Sequence, residues 1–148
     1  MNMILGGCHC GTVRYESRGR VLKFVNCHCP DCRKLSGATF ASILAVESSG
    51  FKLVSGEADV HTYRSSPGKQ RCFCSKCGAH VFARVDAKPE MVLIRAGSID
   101  DDPGVRPQMH IWVSAKAPWH EICDDVPQYQ EGMPSNTTQN SQIAHSKD

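Results

Sequence analysis

Cysteine is the residue type that most constrains this chain, because eight of its nine cysteines fall into three short clusters. The clusters are Cys8-His9-Cys10, Cys27-His28-Cys29-Pro30-Asp31-Cys32 and Cys72-Phe73-Cys74-Ser75-Lys76-Cys77-Gly78. Clustered cysteines form either a disulfide framework or metal sites. Three features argue against disulfides: the odd count, a first segment too short for an export signal, and a length of 148 residues, which needs no covalent staples. The clusters therefore predict metal binding.

The spacing within each cluster predicts how its thiolates reach an ion. A C-x-x-C pair followed by glycine, such as Cys74 and Cys77, fits a tight turn that aims two sulfurs at one ion. In the C-x-C pair Cys8 and Cys10, residues i and i+2 of an extended chain project to the same face. Two such half-sites complete a closed tetrahedral zinc site. Three sulfurs with one open position, the pattern of a catalytic zinc, would then remain at Cys27, Cys29 and Cys32.

Spacing alone leaves this partition open. The third cluster repeats the C-x-C-x-x-C pattern of the second, so Cys72 could replace Cys74, or the triplets could pair otherwise. The residues by themselves therefore predict at least one zinc and favour two.

The remaining sequence is typical of an all-β protein with packed antiparallel sheets and zinc-binding cysteine hairpins. Runs rich in β-branched and aromatic residues predict seven strands at 12–17, 20–25, 38–46, 51–54, 59–63, 79–85 and 91–95. The only helical candidate, Pro30 to Leu35, is interpreted as a turn too short to form a helix alone. We expect one domain over 1–130, followed by a flexible polar tail over 131–148.

Composition excludes several classes of function. A formal net charge of +2 is too small for a nucleic-acid-binding surface. No apolar run approaches the roughly 18 residues of a membrane span. A cytoplasmic protein without nucleic-acid or membrane partners is the expectation.

The order of several motifs resembles one known family. These motifs are Gly7-Cys8-His9-Cys10-Gly11, Cys27-His28-Cys29 with Cys32-Arg33 and Ser36-Gly37, Arg71 with Phe73-Cys74 and Cys77-Gly78, and Ala117-Pro118-Trp119. Over about residues 4–127 the chain is similar to the glutathione-dependent formaldehyde-activating (GFA) family, also called the centromere protein V/GFA domain. The resemblance implies a β-rich fold with two zinc ions. It implies a structural zinc on Cys8, Cys10, Cys74 and Cys77, and a catalytic zinc on Cys27, Cys29 and Cys32.

The resemblance also implies an enzyme. Members of the enzyme type join glutathione, the co-substrate, to formaldehyde and give S-hydroxymethylglutathione, a reaction classed in reverse as a carbon-sulfur lyase. A zinc ion that already carries three thiolates is a weak Lewis acid toward water, but it accepts and deprotonates a thiol. A related aldehyde is a further possible substrate. The alternative is a non-enzymatic zinc module that carries glutathione or binds a protein partner, and redox sensing by the exposed triplet is a third hypothesis.

Several charged residues, histidines and cysteines are further candidates for roles near the clusters. Arg33 and Lys34 follow its last cysteine, where they could bind a carboxylate of an anionic thiol or simply be solvated. His28, between two candidate ligands, should face away from the metal on an extended chain, at the surface or beside the ligands. His110 could face the site, but we expect it to pack within a sheet. His9 and His80 are likewise expected to be ordinary surface or packed histidines without a catalytic role. Cys72 and Cys123 lie outside the family pattern and are expected to be partly buried free thiols.

Overall fold

The fold is mainly β, as predicted. A computed structural model describes residues 3–134 and 143–144. In chain order, the strands and the helix are Ile4–Gly7 (β1), Arg14–Ser17 (β2), Val21–Cys27 (β3), Pro30–Ser36 (α1), Ala41–Glu47 (β4), Phe51–Ser55 (β5), Val60–Ser66 (β6), Lys69–Cys74 (β7), His80–Val85 (β8), Met91–Arg95 (β9), Met109–Ile111 (β10), Gln128–Tyr129 (β11) and Ile143–Ala144 (β12). Single 3-10 turns cover Ser48–Gly50, Glu57–Asp59, Ala96–Ser98 and Val113–Ala115.

The described chain forms two compact units, and β3 and β4 each contribute residues to both. Unit 1 comprises residues 3–23 and 43–105, and unit 2 comprises 24–42, 106–134 and 143–144. The prediction of one domain over 1–130 stays a prediction. The predicted tail lies outside the described residues, apart from 131–134 and the two residues of β12.

Unit 1 consists of two packed antiparallel layers. One is the three-stranded sheet β1-β2-β5, and the other contains β4, β9, β8, β7 and β6 in that spatial order. Between them, the ring of Tyr15 stacks on Phe51 with centroids 5.4 Å apart, and Phe51 lies 5.0 Å from Phe82. Tyr15 and Phe82 are buried, and each such side chain contributes about 1.5–3 kcal/mol. The aromatic core thus holds the first sheet, which carries the Cys8 end of β1.

Gly6, two residues before Cys8, occupies a space that only glycine fits. A methyl group there would overlap the hydroxyl oxygen of Tyr15 and the carbonyl oxygen of Ser98. Gly6→Ala should therefore lower the free energy of unfolding by about 1–3 kcal/mol in urea denaturation, because backbone cannot yield as a flexible side chain can. Gly97→Ala is the matched control, since a methyl group at Gly97 meets nothing within 4 Å. Equal unfolding free energies for the two variants would contradict this prediction.

Unit 2 departs from the predicted antiparallel pattern. Strand β10 runs parallel to β3 and to β11, while β11 and β12 are antiparallel. Parallel neighbours cannot be joined by a hairpin and need a long connection. The short strands β10 and β11 were not predicted, and in unit 1 neither β1, which contains two glycines, nor the mixed polar strand β7 was predicted.

The interpretation of Pro30 to Leu35 as a turn is wrong, because these residues lie in a helix of seven residues. Residues at both ends of this helix define where it begins and where it stops. Cys29 is the N-cap, Pro30 occupies the first turn where no hydrogen bond is lost, and Gly37 closes the helix in the left-handed conformation with φ 63°. The backbone N–H of Gly37 donates to the carbonyl of Arg33 over 2.9 Å. The helix places Cys32 and Arg33 on consecutive positions.

Candidate metal centres

The first group of cysteines lies on two turns of unit 1. Cys8 follows β1 and Cys10 lies in the turn that leads to β2, where the N–H of Gly11 donates to the carbonyl of Cys8 over 3.2 Å. Cys74 ends β7 and Cys77 lies in the turn that leads to β8. The two antiparallel hairpins thereby bring four sulfur atoms together, with every pair within 4.8 Å.

The spacing of these sulfurs fits a tetrahedral zinc ion. The sulfurs of Cys8 and Cys10 are 3.6 Å apart, and those of Cys10 and Cys74 are 3.9 Å apart. Zinc-sulfur bonds of about 2.3 Å in a tetrahedron place ligand sulfurs about 3.8 Å from one another. Backbone N–H groups also point at the group: that of Val13 donates to Cys8 Sγ over 3.2 Å. Hydrogen bonds from the backbone N–H groups of Ala79 and Cys10 lower the pKa of Cys77 to about 6, which favours the thiolate.

One expectation about this group is wrong. Cys8 and Cys10 do not lie on an extended chain, because His9 and Cys10 form a turn. Residues i and i+2 of a strand are roughly 7 Å apart, so only the turn brings the two sulfurs within ligand spacing. Cys72, on the extended part of β7, lies outside the group: it is buried, with its sulfur 3.8 Å from the hydroxyl oxygen of Thr62.

The second group lies at the junction of β3 and α1 in unit 2. Cys27 ends β3, Cys29 caps α1, and Cys32 lies in the first turn of the helix. The three sulfurs lie within 4.8 Å of one another, and the N–H of Cys32 donates to Cys29 Sγ over 3.3 Å. Hydrogen bonding to Cys29 and Cys32, together with burial, raises the pKa of Cys27. Three crowded sulfurs lose their protons together only when a cation offsets the charge, which suits a metal site.

This second group is a set of three. Within residues 3–134, no further histidine, cysteine or carboxylate belongs to it. Tetrahedral zinc has four ligands, so an ion held here keeps one position that no described residue fills. Cys27 and Cys32 are buried, whereas Cys29 is half-buried.

A buried chain of hydrogen bonds begins at the residue between Cys27 and Cys29. His28 Nε2 lies 2.9 Å from His110 Nδ1, and His110 Nε2 lies 3.1 Å from a carboxylate oxygen of Asp124. The His28 ring packs on Phe40 with centroids 4.8 Å apart. Burial, reinforced by the charges of His110 and nearby cations, lowers the pKa of His28 to about 4, so the imidazole is neutral. Asp124 was not identified from the sequence, since no spacing links it to either histidine.

A depression in the surface of unit 2 adjoins the C-terminal half of α1. Its volume is about 340 Å³, and it is lined by Arg33, Lys34, Gly37, Ala38, Thr39 and Trp119. The Trp119 side chain is 73% exposed, which is unusual for a large aromatic residue. Arg33 Nε is buried without a hydrogen-bond partner, whereas Lys34 is exposed. The depression therefore offers two cationic side chains and one aromatic face to a ligand.

The remaining candidates, His9, His80 and Cys123, belong to neither group. His9 is exposed, and His80 stacks on Phe73 with centroids 5.9 Å apart. The expectation that Cys123 is partly buried is wrong, because its loop has no regular structure and leaves the thiol exposed. Among the described residues, no helix has the length and apolar character needed to cross a membrane.

Comparison with known proteins gives consistent results. The family model described as glutathione-dependent formaldehyde-activating enzyme matches residues 3–115. A Halomonas elongata protein, provisionally named as such an enzyme, is 31% identical over 128 residues, which cover 81% of each chain. A Sordaria macrospora protein with the same provisional name is 28% identical over 53% of this chain and 36% of its own. A crystal structure of a Rhodobacter sphaeroides protein covers 70% of this chain and 91% of its own, with a TM-score of 0.53 and 26% identity.

Proposed function

Because the chain belongs to the family of glutathione-dependent formaldehyde-activating enzymes, we propose that it joins glutathione to formaldehyde, or to a related small aldehyde, at the group formed by Cys27, Cys29 and Cys32. The reaction class is that of a carbon-sulfur lyase acting in the direction of synthesis. The observation that carries the proposal is the group of three sulfurs with no fourth ligand from the described chain. A closed site would have no place for a substrate thiol.

The reaction needs no oxidant or reductant. The sulfur of glutathione forms a bond to the carbonyl carbon, the carbon-oxygen π bond breaks, and the proton lost by the thiol is matched by one gained by the new hydroxyl. A free thiol with a pKa of about 8.5 is mostly protonated at neutral pH, so the enzyme must favour its thiolate. Zinc held by Cys27, Cys29 and Cys32 would supply the positive charge that does so. The cysteines would bind the ion and leave room for the incoming sulfur.

The four-cysteine group would hold a second zinc in a purely structural role. Its sulfurs provide all four ligands from Cys8, Cys10, Cys74 and Cys77, so nothing is left for a substrate. All nine cysteines of the chain are free thiols. Thiols that serve as metal ligands persist in a reducing compartment, and we accordingly propose a cytoplasmic location.

The depression on unit 2 would bind the body of glutathione. Its carboxylates suit Arg33 and Lys34, and its peptide planes suit the exposed face of Trp119. Cys32, Arg33 and Lys34 are consecutive on α1. Glutathione whose sulfur is bound at the cysteines would therefore have both cationic side chains close to its carboxylates.

Lys34→Gln should raise KM for glutathione about threefold to tenfold at unchanged kcat, because an exposed charge contributes to ground-state binding alone. Initial rates measured against glutathione concentration test this. Lys88→Gln, which also replaces an exposed lysine, is the matched control. A small thiol without carboxylates, 2-mercaptoethanol, should be used equally by all three proteins. Equal KM values for glutathione in both variants would remove Lys34 from the binding site.

The proposed function itself is tested by the rate of adduct formation. Glutathione and ¹³C-formaldehyde combine slowly without protein, and NMR exchange spectroscopy measures both directions of that reaction. We expect the zinc-loaded protein to accelerate the exchange in proportion to its concentration. If the rate equals that of free solution while zinc is bound, the chain is not this enzyme, and the interpretation as a non-enzymatic zinc module takes its place.

A further inference from the structure

The buried pair His28 and His110 ends at a carboxylate, and this fixes where the protons lie. A carboxylate can only accept, so Asp124 receives the N–H of His110 Nε2 over 3.1 Å. When the His110 ring carries this one proton, its Nδ1 is bare and accepts from His28 Nε2 over 2.9 Å. His28 Nδ1, which is buried and has no hydrogen-bond partner, is accordingly the nitrogen without a proton. One surface carboxylate thus determines the tautomer of two buried rings.

The Asp124 carboxylate is itself held in place. The backbone N–H of Val126 donates to Asp124 Oδ1 over 3.0 Å, which orients the carboxylate toward His110. Burial raises the pKa of Asp124, but hydrogen bonds from His110 and from the Val126 N–H outweigh it and lower the pKa below its ordinary value. The side chain is half exposed, so it can be replaced without opening a cavity in the core.

The hydrogen-bonded series that begins at Asp124 ends at His28, which lies within the three-cysteine group. His28 separates Cys27 from Cys29, and its backbone N–H donates to the carbonyl of Ile111 over 3.0 Å. Its ring is held between Phe40, at a centroid distance of 4.8 Å, and His110. Because peptide bonds are planar, the backbone at His28 can turn only about φ and ψ, and a fixed ring limits both torsions. The positions of the Cys27 and Cys29 sulfurs depend on these torsions.

We propose that Asp124 is a positioning residue for the three-cysteine group: through His110 it fixes the His28 ring and thereby holds Cys27 and Cys29 in the geometry that binds metal. This inference rests on the metal-binding part of the proposed function and is independent of the thiol and the aldehyde. Partners that orient metal-binding residues typically change metal affinity 10- to 100-fold. Loss of the Asp124 carboxylate should therefore act on the second group and leave the four-cysteine group of unit 1 unchanged.

The test compares Asp124→Ala with Asp125→Ala, which removes a neighbouring exposed carboxylate. Both proteins are loaded with cobalt, whose thiolate absorption reports on each group, and cobalt release to a chelator is followed. The phase that belongs to the three-cysteine group is identified by its absence in Cys29→Ser. We expect Asp124→Ala to release this cobalt about tenfold faster than wild type, with an unchanged slow phase from the four-cysteine group. Asp125→Ala should match wild type.

A conservative variant distinguishes the effect of the Asp124 charge from the effect of the loop conformation. Asp124→Asn keeps an oxygen for Val126 and His110 but loses the charge, so its release rate should lie between those of wild type and Asp124→Ala. Imidazole ¹⁵N spectra provide a second readout: His28 should be protonated at Nε2 alone in wild type and lose this single tautomer in Asp124→Ala.

The outcomes distinguish this inference from the proposed function. Equal release from Asp124→Ala and Asp125→Ala, or a wild-type spectrum with His28 protonated at Nδ1, would overturn the role of Asp124 and leave the enzyme proposal standing. A wild-type protein that binds only one cobalt ion would overturn the metal-binding part of the proposed function, and this inference with it. A protein that binds two ions without accelerating the adduct would overturn the enzyme proposal alone.

Discussion

Cys29→Ser should lower the rate of S-hydroxymethylglutathione formation at least about a hundredfold, which corresponds to about 2.7 kcal/mol of transition-state stabilisation. The substitution removes one of three sulfurs, and a serine hydroxyl stays protonated where a cysteine becomes a thiolate. Bound zinc should fall from two ions per chain to one. The rate above background in NMR exchange and the zinc content by atomic emission measure the two effects on the same sample.

The fold should survive this substitution. Cys29 is the N-cap of α1 and accepts a hydrogen bond from the N–H of Cys32, a role that serine fills as well as any residue. Cys123→Ser is the matched control, since it replaces an exposed thiol outside both groups. A Cys29→Ser protein whose rate lies within threefold of Cys123→Ser would show that the chemistry takes place elsewhere.

The largest effect on stability is expected for the four-cysteine group. Cys77→Ser should lower the melting temperature by roughly 10 °C, the shift that about 3 kcal/mol produces in a chain of this size. Cys77 is exposed, so serine costs little packing, and what is lost is a ligand of the proposed structural zinc. Such an ion binds only the folded hairpins, so its binding free energy adds to the free energy of unfolding.

Calorimetry of Cys77→Ser beside Cys123→Ser measures this effect, because both variants replace an exposed cysteine by serine. A chelator should lower the melting temperature of wild type toward that of Cys77→Ser and have little further effect on the variant. Identical melting temperatures for the two variants would mean that the four sulfurs do not stabilise the fold through a metal.

Local patterns in the sequence predicted the strands of unit 1 better than the helix of unit 2. A short run of apolar and β-branched residues marked β9 over its full length, Met91–Arg95, because a strand buried on both faces is apolar throughout. The helix at Pro30–Ser36 was a helical candidate that we interpreted as a turn, because seven residues are too few for a helical period. Its caps, Cys29 and Gly37, are local signals that could have revealed it.

For the cysteine groups as well, the sequence predicted some features and left others to the tertiary structure. The order and spacing of the cysteines, together with the family resemblance, predicted which seven sulfurs belong together, and the structure places them in those two sets. The conformation that brings Cys8 and Cys10 to 3.6 Å was not predicted. A C-x-C pair is compatible with a strand or a turn, and only the antiparallel pairing of β1 with β2 decides for the turn.

The sequence by itself determined that the candidate ligands are cysteines and that the fold is mainly β, because both depend on residue types and on spacing along the chain. The grouping of the seven cysteines was implied by the family resemblance. Only the tertiary structure decided that His28, His110 and Asp124 form one hydrogen-bonded chain and that Arg33 and Lys34 share a depression with Trp119. These residues are up to 96 positions apart in sequence. Contacts at such separations follow from the parallel pairing of β3 with β10, which no local pattern encodes.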